Sequence, residues 1–276
     1  MRKIILMYLS AVIFCLTGFA IADAQGDPYQ AGKFEFGLKA GLGLTKMPDN
    51  KTGISNFYLE NEIYDEFNVD SKYHKGFLFG GMAVYHISEN ISLQAECLYT
   101  SKGVEIENKG YSRDDTLDVF LLEKEKMSLT YLEIPLLVKY CIPAGKSFSP
   151  ALYAGTALSF KLSAQNDINY DFRVYYEDLL LYQEVLEGKP DIDNIKSTDF
   201  GLVFGGEFGF RLGSHKLLFD IRYTMGMTEL FEDVDPDDIP SVTDKFPPDY
   251  PQVNSDTGKA PSMKNNSLVF SVGFLF

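Results

Sequence analysis

The chain has 276 residues, with 39 acidic against 25 basic, a formal net charge of −14 and a pI near 4.6. Such acidity excludes a sequence-blind nucleic-acid binder, which needs a basic surface to displace counterions from phosphates. A 45% hydrophobic composition excludes a disordered chain, and three cysteines exclude a disulfide scaffold.

Arg2 and Lys3 precede an apolar run from Ile4 to about Ile21 and then small residues, the layout of a secretory signal peptide. Two Ala-x-Ala sites, Ala20-Ile21-Ala22 and Ala22-Asp23-Ala24, place cleavage before Asp23 or before Gln25. The expected organisation is a signal peptide over 1–24, a short periplasmic segment over 25–32 and one β-barrel domain over 33–276. Cys15 lies inside the apolar run without a lipoprotein lead-in, which leaves Cys97 and Cys141, at positions of opposite parity that disfavour a disulfide. No later apolar stretch reaches the ~18 residues of a spanning helix.

Eight segments alternate with a period of two, the signature of a strand with one apolar face. The first, 34–44, sets Phe34, Phe36, Leu38, Ala40, Leu42 and Leu44 against Glu35, Lys39 and glycines. The second, 76–87, alternates with ambiguous parity, because Leu78, Met82 and Val84 compete with Phe77, Phe79 and Tyr85. Then come 91–102, 129–141 and 151–162, whose polar faces carry Glu96, Glu133, Lys139 and Lys161. The segments 200–212 and 217–227 carry Glu207 and Arg211, then Asp220 and Arg222. The last, 268–276, presents Leu268, Phe270, Val272, Phe274 and Phe276 on one face.

Short connections around Ser88, Pro143 and Gly213 alternate with four long gaps, taken as 45–74, 103–126, 163–198 and 227–265. Short turns on one side and long loops on the other is the layout of an outer-membrane barrel with extracellular loops. The expected fold is therefore all-β, an eight-stranded antiparallel up-and-down transmembrane barrel with four long extracellular loops. The alternative is a secreted lipocalin-like calyx with its apolar face inward around an apolar ligand. The four gaps hold 30 acidic and 13 basic residues, whereas the polar strand faces are balanced. Glu35, Lys39, Glu96, Glu133, Lys139, Lys161, Glu207, Arg211, Asp220 and Arg222 form a neutral set of ten. An eight-stranded barrel is only wide enough to be filled by side chains, so this set predicts a plug and not a pore.

The run Tyr131-Leu132-Glu133-Ile134-Pro135-Leu136-Leu137-Val138-Lys139-Tyr140 resembles a characteristic strand of the PorT-like outer-membrane β-barrel proteins of Bacteroidetes. Phe36-Gly37-Leu38-Lys39-Ala40-Gly41-Leu42, Gly76-Phe77 and the final Gly273-Phe274-Leu275-Phe276 are similar to the same family, so the likeness spans all eight strands. The resemblance implies an eight-stranded outer-membrane barrel, with some members linked to type IX secretion and most without an assigned activity. Pro135 cannot donate to the ladder, so a bulge is expected beside Glu133, with Glu133 bonded to a Lys or Arg of the lumen.

The remaining motifs are weaker. His86-x-Ser88 is similar to the His-x-Ser pair of barrel lipid A deacylases but falls at the periplasmic end, where a turn histidine and turn serine explain it. No phosphate loop, His cluster or cofactor motif is present, and no enzymatic activity is expected. Glu232, Asp233, Asp235, Asp237 and Asp238 offer oxygen ligands for a cation without the spacing of a calcium loop. The segment 175–186, with early acids and a following Gly188 and Pro190, is expected to be a short helix bearing tyrosines and leucines. The final alternating strand with Phe274 and Phe276 resembles the signal read by the barrel-assembly machinery, and an assembly role is expected of both. The expected partners are outer-membrane lipid, that machinery and a surface partner reached through the loops.

Overall fold

A computed structural model describes residues 31–46, 66–113, 117–145, 147–189, 195–230 and 264–276. The signal peptide, its cleavage sites and the acidic cluster from Glu232 to Asp238 lie outside the described residues. Among the described residues nine strands are formed: β1 (Phe34–Lys46), β2 (Glu66–His86), β3 (Ile91–Arg113), β4 (Leu117–Cys141), β5 (Phe148–Tyr176), β6 (Leu179–Gly188), β7 (Thr198–Leu212), β8 (His215–Gly226) and β9 (Asn266–Leu275). All pairings are antiparallel, and eight strands close a ring in the order β1-β2-β3-β4-β5-β7-β8-β9. The closure is made by β9 against β1, with Leu38 opposite Phe274 and Leu44 opposite Leu268. β6 stands outside the ring and pairs with the far half of β5.

The alternation resolves into an apolar outside and a polar inside. On β4, Leu136, Val138 and Tyr140 are exposed while Glu133, Leu137 and Lys139 are buried. On β8, Phe219, Ile221 and Tyr223 point out, and Asp220, Arg222 and Thr224 point in. The ambiguous parity of β2 is settled in the same way, with Phe77 and Phe79 outside and Leu78, Met82 and Val84 inside. A secreted calyx needs the apolar face inward, so this orientation overturns that alternative. Phe77 and Phe79 stack at 6.3 Å between ring centres, and both lie against Tyr99 on the outer surface.

Three sequence expectations are corrected. The gap 103–126 is mostly strand, since β3 runs to Arg113 and β4 begins at Leu117, paired residue by residue. The expected helix at 175–186 is instead the end of β5, a two-residue turn and most of β6. Glu177 and Asp178 hold φ of 44° and 69° there, the two positive values that a tight hairpin turn demands. Pairing with β5 outweighs the local helical signal, because every β6 residue except the bulged Leu181 gains a ladder partner. Finally, Pro135 sits in an unshifted register, opposite Ala157. Its missing donor interrupts the β3–β4 ladder between the Ala95–Leu136 and Leu98–Glu133 pairs without displacing either strand. The β4–β5 bulge lies between Thr130 and Tyr131, where β5 inserts Leu162.

The apolar exterior band predicts a depth-dependent penalty for charge. Leu38→Arg, midway along the outward face of β1, should cost ~2–4 kcal/mol, and Leu44→Arg near its rim about 1 kcal/mol or less. Urea titrations of refolding into liposomes measure both.

Candidate functional site: a paired-charge lumen and a protruding sheet

The inward faces of the ring bring five carboxylates and five amino or guanidinium groups into full burial: Glu96, Glu133, Asp199, Glu207 and Asp220 with Lys39, Lys102, Lys139, Lys216 and Arg222. Unpaired charges in such a place cost several kcal/mol each, so geometry has to pair them. At the centre, Glu96 takes a bidentate clasp from Arg222, with Nη1 to Oε2 at 2.7 Å and Nη2 to Oε1 at 2.8 Å. Lys39 Nζ donates to the same carboxylate at 2.9 Å, and Gln94 adds a further donor. Asp220 accepts from Tyr153 Oη at 2.6 Å and Ser271 Oγ at 3.0 Å, with Lys39 Nζ 3.6 Å away. Tyr153 also lies beneath the Arg222 guanidinium, 5.5 Å from ring centre to Cζ. Gly205 makes room for this ring, since a β-carbon there would strike the tyrosine hydroxyl.

Towards the short-turn end, Lys139 Nζ donates to Gln94 Oε1 at 2.9 Å and Glu207 Oε1 at 2.6 Å, extending the network through Gln94. At the floor, His86 Nδ1 meets Ser92 Oγ at 2.8 Å and Nε2 meets Glu35 Oε2 at 2.9 Å, while Lys216 Nζ donates to Glu35 at 3.0 Å. A serine, an imidazole and a carboxylate in series is the arrangement that activates a nucleophile. Here Ser92 is only 1% exposed, and the series ties β1, β2 and β3 together. Ser88, the partner suggested by sequence, accepts instead from the backbone N–H of Ile91 at 3.1 Å and shapes the turn.

Towards the other end, Lys102 pairs with Glu133, which also accepts from Ser159 Oγ at 3.4 Å. Asn265 Nδ2 donates to Asp199 Oδ2 at 3.0 Å. An apolar cap of Val104, Met127, Leu129, Tyr131, Ile195 and Leu230 covers this layer. A lumen void beside Thr45, Lys102, Glu133 and Arg222 measures about 20 Å³, room for about one water.

Of the ten residues expected from sequence, Lys39, Glu96, Glu133, Lys139, Glu207, Asp220 and Arg222 are buried in the lumen, with Glu35 at its floor. Lys161 is half-buried and donates to the Ile195 carbonyl, and Arg211 sits half-buried at the short-turn rim. Lys102, Lys216, Asp199 and His86 were missed. Asp199 and Lys216 fall just before the expected starts of β7 and β8, and extending the alternation by one residue reaches both. Lys102 needed the β3 alternation carried one step past Thr100, and His86 was hidden by the ambiguous parity of β2. No disulfide joins Cys97 and Cys141.

Above the apolar band, the far halves of β2 to β5 continue as a sheet with β6. One face carries a charge row of Lys72 opposite Glu105, Glu105 opposite Lys126, and Lys126 opposite Asp167, which pairs with Lys189 at 3.0 Å. In the next row Lys109 and Lys72 both bond Glu107 and hold its carboxyl down to about 2. On the opposite face burial pushes the Glu125 carboxyl up, although Asn166 Nδ2 donates to it at 2.5 Å. Among the described residues no group of three or more His, Cys, Asp or Glu side chains converges as a metal site.

The centre of the lumen couples Glu96 to Arg222, Lys39 and Gln94 through one carboxylate. Arg222→Met should destabilise the barrel by ~3–5 kcal/mol, because Glu96 is left buried without its main partner. Adding Glu96→Leu should restore most of the loss, read from urea melts of the refolded barrel in detergent.

The model of the outer membrane protein beta-barrel domain family matches residues 23–232. Solved structures similar to this chain include the outer membrane protein OprG from Pseudomonas aeruginosa, at 12% identity over 91% of this chain and 99% of that one, with a TM-score of 0.37. Neisserial surface protein A is similar at 14% identity over 87% and 95%, with a TM-score of 0.35. Ail, the attachment invasion locus protein of Yersinia pestis, is similar at 10% identity over 90% and 100%, with a TM-score of 0.32. No curated protein matches the chain. The family match spans most of the chain, over a ring whose outside is apolar and whose inside is charged: the chain belongs to the outer membrane protein beta-barrel domain family and resides in the outer membrane.

Proposed function

We propose that this barrel is a plugged, non-catalytic anchor that presents an acidic, tyrosine-rich sheet at the cell surface for interaction with a partner. The observation that carries the reading is the five-to-five balance of buried lumen charges, most of them joined in ion pairs across the ring, which supports a closed interior. A barrel whose described lumen is filled by charged and polar side chains has its remaining capacity in what it projects from the membrane. That projection is the continuation of β2 to β6 beyond the apolar band, with Tyr170, Tyr175, Tyr176 and Tyr182 in its outer part. In this reading the short turns face the periplasm and the protruding sheet faces outward. Kinship with the PorT-like proteins of Bacteroidetes rests on the strand from Tyr131 to Tyr140, whose Glu133 pairs with Lys102.

Two measurements test the anchor. Reconstituted in planar bilayers, the protein should give no conductance above the lipid background, and steady channels would overturn the plug. Crosslinking on intact cells, followed by pull-down of the barrel, should capture a surface or extracellular protein, and repeated failure to capture any would overturn the interaction role.

Phe274 and Phe276 are assigned to assembly. Phe274 lies on the outer surface against Phe276 at 6.0 Å between ring centres, and the Phe276 N–H closes the ring on the Phe36 carbonyl at 3.0 Å. Deleting Phe276 should lower the folded amount in the outer membrane several-fold, measured by heat-modifiable gel mobility. Undiminished folded protein would remove the assignment.

A further inference from the structure

The protruding sheet has two lateral edges, and they differ in chemistry. One is the far half of β2, where Glu66, Asp70 and Lys72 place charges along the strand. Charges on an edge are a usual protection against unwanted strand addition. The other is β6, which pairs with β5 on one side and with no strand on the other among the described residues. Over its ten residues β6 contains no Lys and no Pro. Leu179, Leu180, Leu181, Tyr182, Val185 and Leu186 are each 45–64% exposed, on both faces of the strand. An edge that is apolar over most of its length, with a bulge at Leu181 and only acidic charges, is open to β-strand addition by a segment of opposite charge.

Charge narrows the occupant. From 177 to 188 the hairpin carries Glu177, Asp178, Glu184 and Glu187 and no basic residue. Glu184 accepts from Tyr182 Oη at 3.0 Å and Glu187 from Asn169 Nδ2 at 3.2 Å, both neutral donors, and neither is joined in an ion pair among the described residues, although Lys124, Lys126 and Lys189 line the same groove as Glu187. A second copy beside the first is disfavoured by symmetry. Antiparallel pairing of two β6 edges needs a two-fold axis across the strands, whereas two copies in one membrane are related by an axis along its normal.

We propose that β6 is a docking edge for an extended segment of a partner protein in which apolar residues alternate with Lys or Arg. The segment adds as a further strand through main-chain hydrogen bonds. Its basic side chains meet Glu184 on one face or Glu187 on the other, and its apolar side chains cover the exposed leucines and Val185. This deepens the surface-interaction reading above and rests on it.

The probe is a ten-residue peptide alternating Val and Lys, with binding to the full-length barrel in nanodiscs read by fluorescence anisotropy. Expected results are saturable binding, loss of at least about tenfold in affinity with the Glu184→Lys/Glu187→Lys variant, and loss of binding when alternate peptide nitrogens are methylated. Heat-modifiable mobility confirms that the variant barrel is folded. Absence of binding, equal binding of a Val–Glu peptide, or indifference to methylation would each overturn the proposal. Clustering of liposomes carrying the protein in the absence of peptide, abolished in the variant, would overturn it in favour of pairing between copies in opposed membranes. If the surface partner captured from intact cells is retained by the folded variant, the β6 assignment falls and the broader interaction reading stands.

Discussion

Every feature of this barrel follows from the absence of water around its middle. An amide or carbonyl left unpaired in hydrocarbon costs several kcal/mol, so a sheet that crosses a membrane must close on itself. The closing ladder is β1 with β9, from Gly37 opposite Leu275 to Lys46 opposite Asn266. Once the ring is closed at eight strands its interior has no freedom of size. The alternation then assigns each residue to lipid or lumen, and a slip of one position would exchange the two faces.

The lumen obeys a second constraint that the first creates. A ring this narrow is filled by side chains, and charged side chains inside it must find partners. Glu96 illustrates the solution, taking Arg222 from β8, Lys39 from β1 and Gln94 from its own strand. Tyr153 and Gly205 show that packing and pairing are solved together, since the missing side chain of one seats the ring that bonds Asp220. The result is a cross-linked interior whose members report on one another, so single substitutions there act on the whole ring.

Beyond the apolar band the solvent changes and so do the rules. Water satisfies backbone groups, so an open edge is tolerated, and neither face of the sheet has to be apolar. Lysines and carboxylates therefore alternate across β2 to β5, and a strand such as β6 exposes leucines on both faces. The same physics that forbids an edge in the membrane permits one above it. An edge above the membrane is available for recognition.

The membrane-crossing strands were legible in the residues because lipid on one side and a packed lumen on the other impose a strict period of two. That period alone placed Lys39, Glu96, Glu133 and Arg222 on one side of the wall, and the charge balance of the polar faces followed from it. Pairing partners were not legible, because Glu96 and Arg222 are 126 positions apart and only the closed ring brings them together. The extramembrane strands were misread as loops and a helix for the complementary reason. Outside the lipid the outward face of 103–126 is mostly polar and the inward face, as at Val104, Leu121 and Asn108, mixes apolar and polar residues. So 103–126 and 175–186 carry too weak a period to read, and their strand conformation is decided by the neighbours already fixed in the wall. What local sequence determined, then, was the face each residue takes where the solvent is asymmetric. Partnership, register at Pro135 and the open edge of β6 were decided by tertiary structure, because each depends on a strand distant in the chain.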